Sequence, residues 1–85
     1  MELSAGEQQR VAVARALAND PAIVLMDEPT GNLDEENTQK LMKLVLELNK
    51  SRRQTFVLTT HNLSLTKYAS KAYLLHDGKL TIQKT

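Results

Sequence analysis

The sequence predicts an α/β fold: a parallel β-α-β core followed by an antiparallel hairpin. Two short apolar runs, at 22–26 and 55–60, are each followed by polar residues, and a helical pattern lies between them. Near the carboxyl end, the turn pair Asp77-Gly78 separates two further apolar segments, which predicts a tight hairpin. These observations place the whole chain in one α/β unit.

The first segment has a helical pattern from residue 5 to residue 18. Its apolar residues recur at spacings of three and four, which predicts a helix: Val11, Ala14, Leu17 and Ala18. The polar residues and proline at 19–21 stop this helix. The run at 22–26 then has no alternation, which predicts a strand buried on both faces.

The elements after residue 28 are predicted from the same kinds of pattern. A loop at 29–33 leads to Asp34, which can cap a helix that runs to about residue 50. The apolar side of this helix contains Leu41, Leu44, Val45 and Leu48. We expect a buried strand at 55–60, parallel to the first and joined by a right-handed crossover. A short helix at 62–70 and hairpin strands at 72–75 and 80–82 complete the prediction.

Composition narrows the class of protein. The 85 residues carry a formal charge of +1, so the totals indicate neither a polybasic nucleic-acid surface nor an acidic tail. There is no cysteine, which excludes disulfides and thiolate zinc sites and fits a reducing, cytoplasmic compartment. The longest apolar run is five residues, at 22–26, far short of a membrane span.

Polar residues at the carboxyl ends of the two predicted parallel strands are the first functional candidates, because ligands of open parallel sheets bind there. Asp27 and Glu28 follow the first strand and His61 the second. Asp27 could hold Mg²⁺, directly or through water, while Glu28 faces a water aligned on a phosphorus atom. Alternatively, the acids simply end a strand at the solvated surface, and His61 is a surface residue. His76, beside the hairpin turn, is predicted to be structural or exposed.

The start of the first helix is the second candidate. Ser4 and Glu7 have the spacing of a capping box, which requires no ligand. Gly6 in the first turn costs helix stability but would let a backbone amide approach an anion closely. A helix amino terminus with a serine hydroxyl can bind phosphate. The sequence alone is compatible with both a cap and a phosphate site.

Four motifs in order make the chain resemble the nucleotide-binding domain of ABC transporters, a P-loop NTPase-type fold. They are Leu3-Ser4-Ala5-Gly6-Glu7-Gln8-Gln9-Arg10, Asp27-Glu28-Pro29-Thr30, Gly31-Asn32-Leu33-Asp34 and Thr59-Thr60-His61. The resemblance places Ser4, Ala5, Gly6 and Glu7 on the signature motif, which binds the ATP of a partner domain. It places Asp27 and Glu28 on the Walker B metal-binding and catalytic acids, Asp34 on the D-loop and His61 on the switch histidine.

The chain also departs from the family pattern. No stretch fits G-x-x-x-x-G-K-[ST], so residues 1–85 correspond to a partial domain without the Walker A loop. Ala5 stands where glycine is common, and Asn62 stands where the family usually has Asp. We expect Asn62 to affect helix capping more than catalysis, because both residues cap well.

The resemblance implies an ATPase subunit that uses ATP and Mg²⁺ and pairs head to tail with a second nucleotide-binding domain. It further implies transmembrane permease partners, no nucleic acid, and a location on the cytoplasmic face of the inner membrane. The Asp-Glu-Pro-Thr-Gly-Asn-Leu-Asp form is typical of the branch with lipoprotein-releasing, macrolide-export and cell-division subunits. Two alternatives remain: an inert truncated or split-domain fragment, and an ATPase head of a chromosome-maintenance or DNA-repair protein.

Overall fold

A computed structural model describes residues 3–84 of the chain. The elements, in order, are α1 (Ala5–Leu17), β1 (Ile23–Asp27), α2 (Glu35–Arg52), β2 (Thr55–Thr59), a 3₁₀ helix (Leu63–Tyr68), β3 (Ala72–His76) and β4 (Lys79–Lys84). The predicted element order is therefore confirmed, and most boundaries move by one or two residues. The predicted short helix after His61 is a 3₁₀ helix.

The central unit is β1-α2-β2, with the two strands parallel and in register from Ile23 opposite Thr55 to Asp27 opposite Thr59. The two strands thus end at the same level, one strand spacing apart, about 4.8 Å. The hairpin β3-β4 forms a separate antiparallel sheet. Its turn has positive φ at both Asp77 (51°) and Gly78 (75°), the conformation that the Asp-Gly pair predicts.

Both long helices contribute to one hydrophobic core with β1. Its buried members are Val13, Leu17, Val24 and Leu41, and the partly buried side chains packed against them are Met26, Leu33, Leu44, Leu48 and Phe56. The predicted apolar side of α2 is confirmed, with Leu41 fully buried. Gln54, buried beside this core, ties the strands together because its amide donates to the carbonyl of Ala22 at 3.3 Å.

The helix predicted from the spacing of Val11, Ala14, Leu17 and Ala18 is confirmed, but of these four residues only Leu17 is buried. The buried residues are Gly6, Val13 and Leu17, whereas Val11 is 37% exposed. The spacing of Val11, Ala14 and Ala18 indicates a helix but does not show which side of it is buried. Alanine side chains are too small to decide this. Packing of α1 against α2 decides it.

The prediction that β1 is buried on both faces was wrong for the described chain. Val24 is buried and Met26 is half-buried, but Leu25 on the opposite face is 76% exposed. On β2, Val57 is likewise 46% exposed. The two helices cover one face of the β1-β2 sheet, and the other face is apolar and open.

Candidate functional site

The carboxyl ends of β1 and β2 bring the predicted acids and histidine together. Asp27 is the last residue of β1, opposite Thr59, and the amide of Glu28 continues the ladder by donating to the Thr59 carbonyl at 2.7 Å. Thr60 and His61 follow β2 directly. We call Asp27, Glu28, Thr59, Thr60 and His61 the acidic edge. The expectation that Asp27, Glu28 and His61 share one edge of the sheet agrees with this geometry.

Asp27 is oriented by the neighbouring strand. The Thr59 hydroxyl donates to Asp27 Oδ1 at 2.6 Å, a short hydrogen bond to a carboxylate. The residue is exposed, and Oδ2 accepts no hydrogen bond from the part of the chain that the structure describes. Asp27 therefore has one oxygen fixed by the protein and one directed to solvent.

Glu28 has a left-handed backbone conformation, with φ of 46°. This conformation costs a residue with a side chain about 1–2 kcal/mol. The surroundings hold it there, because its amide donates to Thr59 and its carbonyl accepts from the amide of Gly31 at 3.2 Å. These two hydrogen bonds fix the backbone from which the Glu28 side chain projects.

The Glu28 carboxylate is held by the loop after β2. Its Oε1 accepts from the backbone amide of His61 at 2.6 Å, and its Oε2 accepts from the Thr60 hydroxyl at 3.2 Å. The His61 imidazole lies beside it, with Nε2 3.7 Å from Oε1, and is fully exposed. A carboxylate acceptor and an exposed imidazole thus lie within contact distance at the sheet edge, where both can reach a ligand.

A magnesium ion fits this edge only in part. Within residues 3–84, no group of three or more His, Cys, Asp or Glu side chains could hold a metal. Mg²⁺, however, is commonly bound by one or two carboxylates while substrate phosphates and water supply the other oxygens. The solvent-directed oxygen of Asp27 suits such a ligand or a contact to a metal-bound water.

The start of α1 has the predicted capping box. The amide of Glu7 donates to Ser4 Oγ at 3.1 Å, and the amide of Ser4 donates to Glu7 Oε1 at 3.2 Å. The Ser4 amide, which donates to the carboxylate, is the largest cause that holds the pKa of Glu7 below its ordinary value; the Ser4 side chain also lowers this pKa, and the nearby Arg10 lowers it less. Ser4 Oγ still has its proton to donate, so capping does not exclude a contact to phosphate.

The structure gives a packing role to Gly6, in addition to the close approach of an anion that the sequence predicts. It is buried where α1 meets the first turn of α2, and a Cβ atom there would lie only 2.8 Å from Asn37 Cγ. The absence of a side chain lets the two helix starts approach. The sequence prediction for Gly6 considered only anion binding and missed this contact.

Asp34 is the N-cap of α2, as predicted. Its Oδ1 accepts from the amide of Asn37 at 2.8 Å. Asn62 similarly caps the 3₁₀ helix, with Oδ1 accepting from the amide of Ser64 at 3.1 Å, in agreement with the capping role expected for it. His76 is exposed and lies in the hairpin, at the end of β3. Its Nε2 is 3.3 Å from Asp77 Oδ2.

The candidate residues therefore form two groups. Across residues 3–84, no hydrogen bond or ion pair joins the signature-like residues Ser4–Glu7 to the acidic edge. Two shallow grooves of the described surface lie on α1 and between α2 and Tyr68, and neither includes Asp27, Glu28 or His61. The acidic edge is an open surface that a further surface must complete if it is to enclose a ligand.

Known proteins match nearly the whole of this chain. A family model described as "ABC transporter" matches residues 1–31. The lipoprotein-releasing system ATP-binding protein LolD of Pseudoalteromonas translucida is 55% identical over 83 residues, 98% of this chain. A LolD protein of Chlorobium luteolum is 51% identical over 81 residues, 95% of this chain. The chain belongs to the ABC transporter ATP-binding family.

Solved structures of ABC cassettes have the same fold. The dimeric structure of MJ0796, described as a bacterial ABC transporter cassette, matches 96% of this chain with a TM-score of 0.81 and 43% identity. A dimeric post-hydrolysis state of that cassette with bound ADP and Pi matches with a TM-score of 0.81 and 42% identity. This chain covers 36% of the Pseudoalteromonas relative, 34% of the Chlorobium relative and 36% of each cassette chain.

The ATPase head of a chromosome-maintenance or DNA-repair protein was the alternative that acts on DNA. A structure of an SMC ATPase matches with a TM-score of 0.64 and 23% identity, over 94% of this chain and 52% of that one, which shows a shared fold alone. No helix among the described residues is long and apolar enough to cross a bilayer.

The sequence prediction missed the two threonines that organise the acidic edge. Thr59 bonds Asp27, and Thr60 bonds Glu28, so successive hydroxyls on one strand end meet successive acids on the other. The sequence predicts that the two strand ends lie side by side, but which residues face each other depends on the register, which periodicity does not give.

Proposed function

We propose that this chain supplies two half-sites of an ABC transporter ATPase, residues 1–85 being part of its nucleotide-binding domain. The observation that carries the proposal is the acidic edge, where the Glu28 carboxylate is fixed by two hydrogen bonds beside an exposed His61. The identity to LolD proteins over nearly the whole chain supports it.

Within the acidic edge, Glu28, His61 and Asp27 have separate roles. Glu28 accepts a hydrogen bond from the attacking water and polarises it, and His61 donates to an oxygen of the γ-phosphate. Asp27 would hold Mg²⁺ directly or through water, and a bound ion would supply positive charge beside the phosphates. Positioning and charge stabilisation are sufficient for phosphoryl transfer to water, so the fixed orientation of Glu28 is itself a catalytic contribution.

The start of α1 serves a different ATP molecule. The Ser4 hydroxyl and the Gly6 amide contact the γ-phosphate of ATP bound by a second nucleotide-binding domain, with Ala5 and Glu7 completing the signature segment and Asp34 lying in the D-loop. The solved relatives described as dimeric support pairing with a second domain.

The whole protein would act with transmembrane permease subunits on the cytoplasmic face of the inner membrane, without nucleic acid. The relatives named as lipoprotein-releasing ATP-binding proteins support export or lipoprotein release as the process that ATP hydrolysis drives. An inert fragment that acts only as an interaction module is the competing proposal, because the sequence has no Walker A pattern.

The test uses a chimeric cassette, in which this chain replaces the 83 matching residues of the Pseudoalteromonas relative. We expect ATP turnover, and Glu28→Gln should lower kcat by about 100-fold or more with ATP binding retained. Glu47→Gln, an exposed acid on α2, is the matched control. An inactive chimeric cassette that still binds ATP, or one unaffected by Glu28→Gln, would contradict the proposal. The 85-residue chain alone should hydrolyse no ATP.

A further inference from the structure

Thr60 has two hydrogen-bond partners, and neither the motifs nor the proposed roles explain them. Its hydroxyl donates to Glu28 Oε2 at 3.2 Å, and its oxygen accepts from the backbone amide of Asn62 at 3.0 Å. The side chain is half-buried between the loop and the acid. Thr60 therefore connects the turn into the 3₁₀ helix with the carboxylate of Glu28.

The direction of these bonds is fixed by chemistry. A backbone amide can only donate, so the Asn62 amide occupies a lone pair of the Thr60 oxygen. The hydroxyl proton then points to the remaining neighbour, which is the Glu28 carboxylate.

The Thr60 hydroxyl therefore controls the plane of the Glu28 carboxylate. The His61 amide holds Oε1, and the terminal torsion of a glutamate is otherwise broad. A single bond to Oε1 would leave Oε2 free to rotate around it. The Thr60 hydroxyl on Oε2 supplies the second point and fixes the orientation in which the remaining lone pairs meet a ligand.

We propose that Thr60 is a positioning residue for Glu28: its hydroxyl sets the orientation in which the carboxylate meets the attacking water. The inference rests on the proposed function, in which Glu28 polarises that water. In this role Thr60 acts on the water through its hydrogen bond to Glu28. Its removal should therefore alter the rate of the chemical step and leave nucleotide binding unchanged.

The test compares three variants of the chimeric cassette. Thr60→Val keeps the branched shape and removes the hydroxyl, and we expect kcat to fall about tenfold with KM for ATP within about twofold of the parent. Thr60→Ser keeps the hydroxyl and should restore kcat to within about twofold of the parent. Thr55→Val, at the opposite, exposed end of β2, is the matched control and should leave both constants unchanged.

The outcomes separate the two proposals. If Glu28→Gln abolishes turnover and Thr60→Val does not lower kcat, the positioning role is wrong and the proposed function stands. If Glu28→Gln retains turnover, the proposed function itself fails. If KM rises with kcat unchanged, or Thr60→Ser is as slow as Thr60→Val, the hydroxyl does not act through Glu28. Should Thr60→Val fail to fold, Thr60→Ala gives the same comparison.

Discussion

Gly6 shows how one residue can satisfy a packing requirement and a binding requirement at the same position. The sequence interpretation assigned its small size to phosphate approach, and the structure places Asn37 of the next helix against it. The two explanations do not compete, because the contact with Asn37 concerns the Cα of Gly6 and the proposed phosphate contact concerns its backbone amide. Only the packing explanation makes a prediction about stability.

Gly6→Ala should destabilise the chimeric cassette, although alanine is the better helix former by about 1 kcal/mol. Overpacking against Asn37 should cost about 1–3 kcal/mol and exceed that gain. The double variant Gly6→Ala/Asn37→Ala removes the colliding atoms and should recover most of the loss. Denaturant unfolding of the parent, both single variants and the double variant measures the coupling. Additive effects would contradict a contact between these residues.

The capping box at Ser4 and Glu7 makes stability depend on pH. Hydrogen bonds from Ser4 lower the pKa of Glu7 from its ordinary value of 4.5. Because the pKa in the folded state is below that of the unfolded chain, the carboxylate stabilises the fold above about pH 4.5. That stabilisation is lost as the pH falls through the lowered value.

Glu7→Gln keeps an oxygen that accepts the Ser4 amide but does not titrate. Its unfolding midpoint should therefore fall less than that of the parent when the pH is lowered from 6 to 3. Equal slopes for the two proteins would show that Glu7 does not contribute to the acid sensitivity.

At the scale of the element, α2 illustrates how a local signal sets a boundary. Asp34 begins the helix because its carboxylate accepts the Asn37 amide, and Arg53 ends it in a left-handed conformation with φ of 54°. The sequence predicted the start correctly and ended the helix near residue 50, two residues early. Asp is a strong cap signal, whereas an arginine gives no indication that it will adopt the left-handed region.

Asp34→Ala should lower the free energy of unfolding by about 1 kcal/mol, since it removes the acceptor for the Asn37 amide. Asp34→Asn retains an oxygen at the same position and should lower the free energy of unfolding by only about 0.3 kcal/mol. The comparison is made by denaturant unfolding of the chimeric cassette. A loss as large in Asp34→Asn as in Asp34→Ala would mean that the charge, rather than the cap, stabilises this turn.

At the scale of the whole molecule, the principal feature is the open face of the β1-β2 sheet. Leu25 and Val57 lie on it, on the side opposite the two helices. Continuous apolar strands are typical of parallel sheets covered on both faces, so the sequence is suited to a cover that residues 3–84 do not provide. The relatives are almost three times as long as this chain, which is consistent with a cover from elsewhere in the domain.

If the open face is covered in the chimeric cassette, Leu25→Asp should destabilise it by several kcal/mol, because a buried charge would be left without a partner. Leu63→Asp is the matched control, since Leu63 is 70% exposed at the start of the 3₁₀ helix. Unfolding midpoints of the two variants should differ clearly. Equal and small effects would show that the face of Leu25 stays exposed in the longer protein.

The sequence by itself determined the order of elements, the caps at Ser4, Asp34 and Asn62, and the hairpin turn. These follow from local chemistry, in which a side chain and a backbone amide a few residues away satisfy each other. It also determined that Asp27, Glu28 and His61 meet, because parallel strands end at one edge.

Tertiary structure alone decided which face of α1 is buried, which face of β1 is covered and how the acids are held. Gly6 lies against Asn37, and the Glu28 carboxylate lies on Thr60 and the His61 amide, through contacts between residues about 30 positions apart. Periodicity reports spacing along one element and contains no information on its neighbour. Register and packing, which select among equivalent faces, depend on the whole fold.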